Sequence, residues 1–282
     1  MHIKSLKCAF TVAILCEMVV HFGVAAINVT GFLVFFPCNA LMAWAIFKRD
    51  DFWESWAFKI IFNINIADLI YLLPSAVAAA MSICGIEFSD YLTTFSYLDL
   101  ETIPVIQQFL CLTLAFNRLV TFADLDRLKG SDVNRFFLLI DWAGGTFWLL
   151  IYLCTLQATI VYNFEKQRFQ IEPILGNSTL LAETTHIDHV KIAIFMVVNG
   201  ITIFFSFITF VLWITSFQSE EVSLFFQMLI PIVFLILGII ADHYDDFFQD
   251  QFGVIIGPMA GTAMYRIVPA SIHAAVLMIA NT

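Results

Sequence analysis

Read from its N-terminus, the chain is a succession of long apolar runs separated by short polar breaks. After a basic start at Lys4 and Lys7, residues 8–47 carry a single carboxylate, Glu17, and no Lys or Arg. That is twice the roughly 20 residues that cross a bilayer as a helix, so the run divides, near Asn28. Further apolar runs follow at about 57–81, 102–122, 136–162, 190–217, 222–241 and 252–280. The breaks are Lys48-Arg49-Asp50-Asp51, a segment holding Asp124, Asp126, Arg127, Lys129 and Arg135, a longer polar stretch at 163–189, Gln218-Ser219-Glu220-Glu221, and Asp242-His243-Tyr244-Asp245-Asp246. The pattern predicts an all-α integral membrane protein: a seven-transmembrane helix bundle over residues 27–282, its first span at about 29–47 and the others at the six runs above. Runs of this length are unlike the alternating segments of about 10 residues in a membrane barrel. Residues 1–26 admit two readings. Val24-Ala25-Ala26 after an apolar body suits the end of a signal peptide. Glu17 inside that body suits an N-terminal helical extension of the first span instead.

Composition narrows the class. Of 282 residues, 61% are hydrophobic, 13% are charged and 31 are Phe, with a mean hydropathy of +0.89. A soluble domain has about 25% charged residues; soluble enzymes, disulfide scaffolds, coiled coils and disordered chains are disfavoured together. The formal net charge is −10, and no basic stretch points to nucleic acid. Cys8, Cys16, Cys38, Cys84, Cys111 and Cys154 form no CxxC or Cys/His pattern, so neither a metal nor a cofactor is expected. The loops after spans one and three, with their flanks, hold Lys48, Arg49, Lys59, Arg118, Arg127, Lys129 and Arg135; those after spans two, four and six hold Lys166, Arg168 and Lys191. The basic side is the cytoplasmic one. The N-terminus is therefore expected outside and the C-terminus in the cytoplasm. Two sequons, Asn28-Val29-Thr30 and Asn177-Ser178-Thr179, fall on the outer side and are glycosylation candidates.

Charges inside a bilayer cost about 2.5–3.5 kcal/mol each on insertion scales and turn toward the bundle interior. Asp68 in span two is either an interior hub that changes partners or a carboxyl buried by hydrogen bonds to Asn39 and its neighbours. Arg266, well inside span seven, is a candidate partner for Asp68 or for an anionic ligand. Asp141 lies near the cytoplasmic end of span four and reads as an interfacial carboxylate. Gly144-Gly145 reads as a close helix approach. His186-Ile187-Asp188-His189 has the spacing of metal ligands, but a solvated loop explains it better. Asp242, Asp245, Asp246 and Asp250 make an acidic outer rim.

The order of polar residues carries a resemblance. Cys38-Asn39-Ala40-Leu41 in span one, Asn63-Ile64-Asn65-Ile66-Ala67-Asp68-Leu69 in span two, Leu114-Ala115-Phe116-Asn117-Arg118-Leu119 at the end of span three and Trp142 in span four follow one another at 29, 50 and 24 positions from Asn39 to Asp68 to Arg118 to Trp142. This resembles the rhodopsin-like G-protein-coupled receptors. Pro231 in span six and Pro269 in span seven occupy plausible proline positions of that family. The Asn-Arg ending of span three, with Phe35-Phe36-Pro37-Cys38, is similar to the nematode serpentine chemoreceptors. There are departures. No Cys pair links the outer end of span three to the long outer loop, span five has no proline, and Val268-Pro269-Ala270-Ser271-Ile272 stands where Asn-Pro-x-x-Tyr is usual.

The resemblance implies a chemosensory receptor for a small, unidentified ligand. It implies coupling to a heterotrimeric G protein, through Asn117 and Arg118, at the plasma membrane and, for a chemoreceptor of this type, in sensory cilia. Arg118 would hold the resting state and meet the G protein in the active one; an amide at Asn117 bonds Arg118 without charge and implies a softer resting lock. Asn39, Asp68 and Arg266 would form the interior polar hub, with Trp142, Pro231 and Pro269 in helix packing and kinks. The ligand pocket would lie between the outer halves of spans three, five, six and seven, with Gln107, Gln108 and Asn199 as polar contacts and Phe204 and Phe234 as lining. Gln227 falls too deep. The alternative is a small-solute transporter or ion channel lined by Asp68 and Arg266, which an internal repeat would favour and none is visible. No nucleophile–base set and no GxGD or HExxH element occurs, so no enzymatic activity and no catalytic residue is expected.

Overall fold

The computed structural model describes residues 2–125, 128–155, 159–164, 168–172 and 178–216, and residue 263 alone. The expected sixth and seventh spans, save residue 263, lie outside these, and with them Pro231, Phe234, Arg266 and Pro269; Asn177 lies outside them too. Six helices and one hairpin make up the described chain: α1 (His2–Lys48), α2 (Asp50–Glu54), α3 (Trp56–Cys84), α4 (Asp90–Phe122), α5 (Ser131–Thr155), β1 (Thr159–Asn163), β2 (Arg168–Glu172) and α6 (Ser178–Ser216). Among the described residues, five stretches are long and apolar enough to cross a membrane: His21–Lys48, Trp56–Cys84, Asp90–Phe122, Ser131–Cys154 and His189–Leu212.

α1 is continuous, as the helical-extension reading of residues 1–26 has it, and three other boundaries differ from the expected ones. α1 runs unbroken past Asn28 for 47 residues, about 70 Å at 1.5 Å per residue, more than twice a hydrocarbon core of about 30 Å. The third helix starts at Asp90 rather than near residue 102. Its early polar positions, Thr93, Ser96 and Asp99, are spaced three apart and all buried, so they face neighbouring helices and only read as a loop. The fourth expected span ends at Thr155, and part of its apolar tail is a β-strand. Finally, α6 begins at Ser178, so the long outer polar stretch is partly helical.

The hairpin departs from an all-α fold. β1 and β2 pair antiparallel with Ile160 opposite Ile171 and Tyr162 opposite Phe169. Alternation turns Ile160, Tyr162 and Phe169 inward, where they are buried. The Tyr162 hydroxyl meets Ser82 Oγ at 2.9 Å, and the Tyr162 amide donates to Glu87 Oε1 at 2.8 Å. The hairpin is thereby fastened to the end of α3, where Gly85 takes a left-handed φ of 65° and its N–H caps Met81 O at 2.8 Å.

α4 is the hub of the bundle. It packs against α3, α5, α6 and both strands, while α1 packs on α3. Its contact with α5 is close: a Cβ on Gly145 would collide with the Ile106 side chain, whereas one on Gly144 would rest 3.5 Å from Phe109. The glycine pair admits the helix approach that the sequence suggested. Two contacts define the α4–α6 register, Glu101 with Lys191 and Phe116 with Phe205 at 6.0 Å between ring centroids. Fifteen positions on α4 match fourteen on α6, so the two helices run parallel.

Candidate functional site

Polar side chains on α4 meet partners at three depths. From Glu101 to Asn117 is about 24 Å along the helix, most of a hydrocarbon core. At the level nearest the N-terminus of α4 three helices converge on one carboxylate. Glu101 Oε2 accepts from the Tyr152 hydroxyl of α5 at 3.0 Å and from Lys191 Nζ of α6. The Lys191 and Glu101 side chains are only 11% and 15% exposed. The aromatic cluster of Trp148, Tyr152 and Phe195 packs beside them, with the ammonium 5.8 Å from the Phe195 ring. The sequence reading assigned neither Glu101 nor Lys191 a site. The signal was an acid and a base at the N-terminal ends of two apolar runs.

At the middle level Gln107 Nε2 donates to Asp68 Oδ1 at 2.7 Å, both residues fully buried. Asn39 on α1 and Asn65 on α3 are fully buried as well, and Asn65 Nδ2 turns back to Ile61 O at 2.8 Å. Gln108, next to Gln107, is 1% exposed and neither atom of its amide has a hydrogen-bond partner among the described residues. It lies seven positions past Glu101, which in the parallel register is level with Val197 and Val198 of α6, next to Asn199. Asn199 is also buried. Leaving a buried amide unpaired costs about 1–3 kcal/mol, which makes Gln108 the least satisfied polar residue of this layer.

The level nearest the C-terminus of α4 ties α4 and α3 to α5. Trp142 Nε1 donates to Asn63 Oδ1 at 3.0 Å, and Asn63 Nδ2 to Lys59 O at 2.8 Å. Thr113 Oγ1 donates to Asp141 Oδ1 at 3.0 Å. Asp141 is buried between helices. Asn117 Nδ2 donates to Asn134 Oδ1 at 2.9 Å, and Asn134 in turn to Gly130 O at 3.2 Å. The Asn117 amide is thus engaged by α5. Arg118 is half-buried on the next position. Past the helix end, Lys129 donates to Asp124, whose φ is 52°; the hydrogen bond and charge of Lys129 lower the Asp124 carboxyl below its ordinary range.

Of the residues expected to line a pocket, Gln107, Gln108 and Asn199 are interior, and Phe204 is not. Phe204 is 58% exposed and stands on the outer surface of α6. Asn28 lies within α1 with no exposed surface. No protein-family model matches the chain, and no curated protein matches it.

Proposed function

We propose that the chain is a seven-helix G-protein-coupled receptor of the nematode serpentine chemosensory type, seated in the plasma membrane and tuned to a small ligand. The observation that carries this reading is Gln108. A buried amide with no partner for its donor or its acceptor among the described residues, beside the Gln107–Asp68 pair and close to the level of Asn199, suits a ligand that brings one acceptor and one donor. The layers above and below are tied helix to helix, so a ligand at this depth bears on both ends of α4. It acts as an agonist to the degree that it binds one packing more tightly than the other. Asn117 and Arg118, at the inner end of α4, are the proposed coupling residues for a heterotrimeric G protein. The resemblance supplies the family and the hub role of Asn39, Asp68 and Arg266; the sequon at Asn177 and the charge asymmetry of the loops support glycosylation there.

The test is G-protein recruitment in cells over an odorant panel, comparing wild type with Arg118→Ala at matched surface expression. The reading expects an evoked signal that the variant loses. The same file of polar side chains, from Glu101 to Asn117, would suit a solute path; ligand-free flux of ions or solutes would put a transporter or channel first.

A further inference from the structure

The turn between α1 and α3 holds three cations against aromatic rings. Lys48 Nζ lies 4.8 Å from the Trp44 ring centroid, and the Arg49 guanidinium lies 4.2 Å from that of Phe52. Lys59 Nζ lies 4.3 Å from Trp56 and 5.9 Å from Trp53. Rings also set the short helix α2 in place. Phe52 stacks on Phe58 at 4.4 Å, and Trp53 meets Phe47 edge-on at 5.7 Å and Phe62 at 5.5 Å. At 3.6 residues per turn, Asp50, Asp51 and Glu54 fall on the side of α2 opposite Phe52 and Trp53, and all three are exposed. Leu41, Trp44 and Phe47, along the α1 turns that lead into this loop, are exposed apolar residues, as a lipid-facing surface requires.

This segregation has a physical reading. Aromatic rings and lysines cluster at the level of the lipid headgroups, with the apolar stem along the hydrocarbon and the ammonium reaching outward. A ring holds each cation from one side and leaves its other side to an anion. Arg49 also lies 3.8 Å from Asp51, a pair whose side chains are both largely exposed, so water and salt screen it. We infer that Lys48, Arg49 and Lys59 form a binding site for the phosphate of an anionic phospholipid headgroup, in the leaflet that the basic loops face. The inference requires that the chain span a membrane; it does not depend on signalling.

The experiment reconstitutes the full chain in vesicles of equimolar phosphatidylcholine and phosphatidylserine, with brominated acyl chains on one lipid or on the other. Bromine quenches nearby tryptophans. Trp142, Trp148 and Trp213 remain in every protein compared and do not alter the comparison. Wild type is expected to be quenched more when phosphatidylserine carries the bromine. The preference should fall roughly fivefold for each cation removed, the order that one basic residue contributes at an anionic surface. It should vanish in Lys48→Gln/Arg49→Gln/Lys59→Gln and persist in Lys48→Arg/Lys59→Arg, which keeps the charge. Equal quenching in wild type, or a preference that survives the triple variant, overturns the inference. So does a preference abolished by inorganic phosphate, which would make soluble phosphate the ligand.

Discussion

Lys191 of α6 and Glu101 of α4 form an ion pair inside the helix bundle, and Tyr152 of α5 donates to the same carboxylate oxygen. The arrangement joins three helices through one atom. Two charges so little exposed are each costly to desolvate, and breaking such a pair leaves one of them uncompensated. Lys191→Met should therefore destabilise the protein by about 3 kcal/mol or more, and the neutral double variant Glu101→Gln/Lys191→Met by less than either single change. Thermal unfolding in detergent, run as a double-mutant cycle, reads the order directly; additive losses would contradict it.

Gly145 predicts a sharp contrast with its neighbour. A methyl group there collides with Ile106, while at Gly144 it meets Phe109 at an ordinary 3.5 Å. Gly145→Ala should cost about 1–3 kcal/mol, the range for overpacking a filled contact, and Gly144→Ala much less. Adding Ile106→Val should recover part of the Gly145→Ala loss. Melting temperatures of the four proteins check the series, and equal effects at the two glycines would show that the helices are farther apart.

Asp124 gives a prediction with a pH sign. Lys129 lowers its carboxyl pKa, so the folded form favours the ionised acid. The contribution to stability is present above the ordinary carboxylate range and fades as pH falls through the depressed value. Carbon-detected NMR of labelled Asp124 should show titration below a normal aspartate, and Lys129→Gln should return it to the ordinary range. An unchanged midpoint in that variant would remove Lys129 as the cause.

The helical character and the first five spans were legible because apolar run length is a one-dimensional property. Pairing across helices was not. Spacing along the chain placed Asp68 and Gln107 correctly as interior residues, yet nothing in it says that α3 and α4 turn these two side chains toward each other. Glu101 was hidden because it sits in a stretch whose polar residues, Thr93, Ser96 and Asp99, resemble a loop until their threefold spacing is seen as a helix face. The hairpin was hidden for the opposite reason. Ile160, Val161 and Tyr162 continue the apolar run of α5, and only their alternation with Phe169 and Ile171 distinguishes strand from span. Phe204 misled because a Phe at the right depth carries no mark of which way it faces.

Gln108 separates stability from function. Replacing an unpaired buried amide by Leu removes a desolvation penalty of about 1–3 kcal/mol, so Gln108→Leu should fold at least as well as wild type. If Gln108 is the seat of a ligand, the same change should abolish the response.

The measurement that bears most directly on the receptor reading is ligand-evoked G-protein recruitment by wild type and Gln108→Leu, at matched surface expression and with thermal stability measured on both. The account predicts a response in wild type and none in a variant that is equally or more stable. A variant that responds like wild type would contradict it.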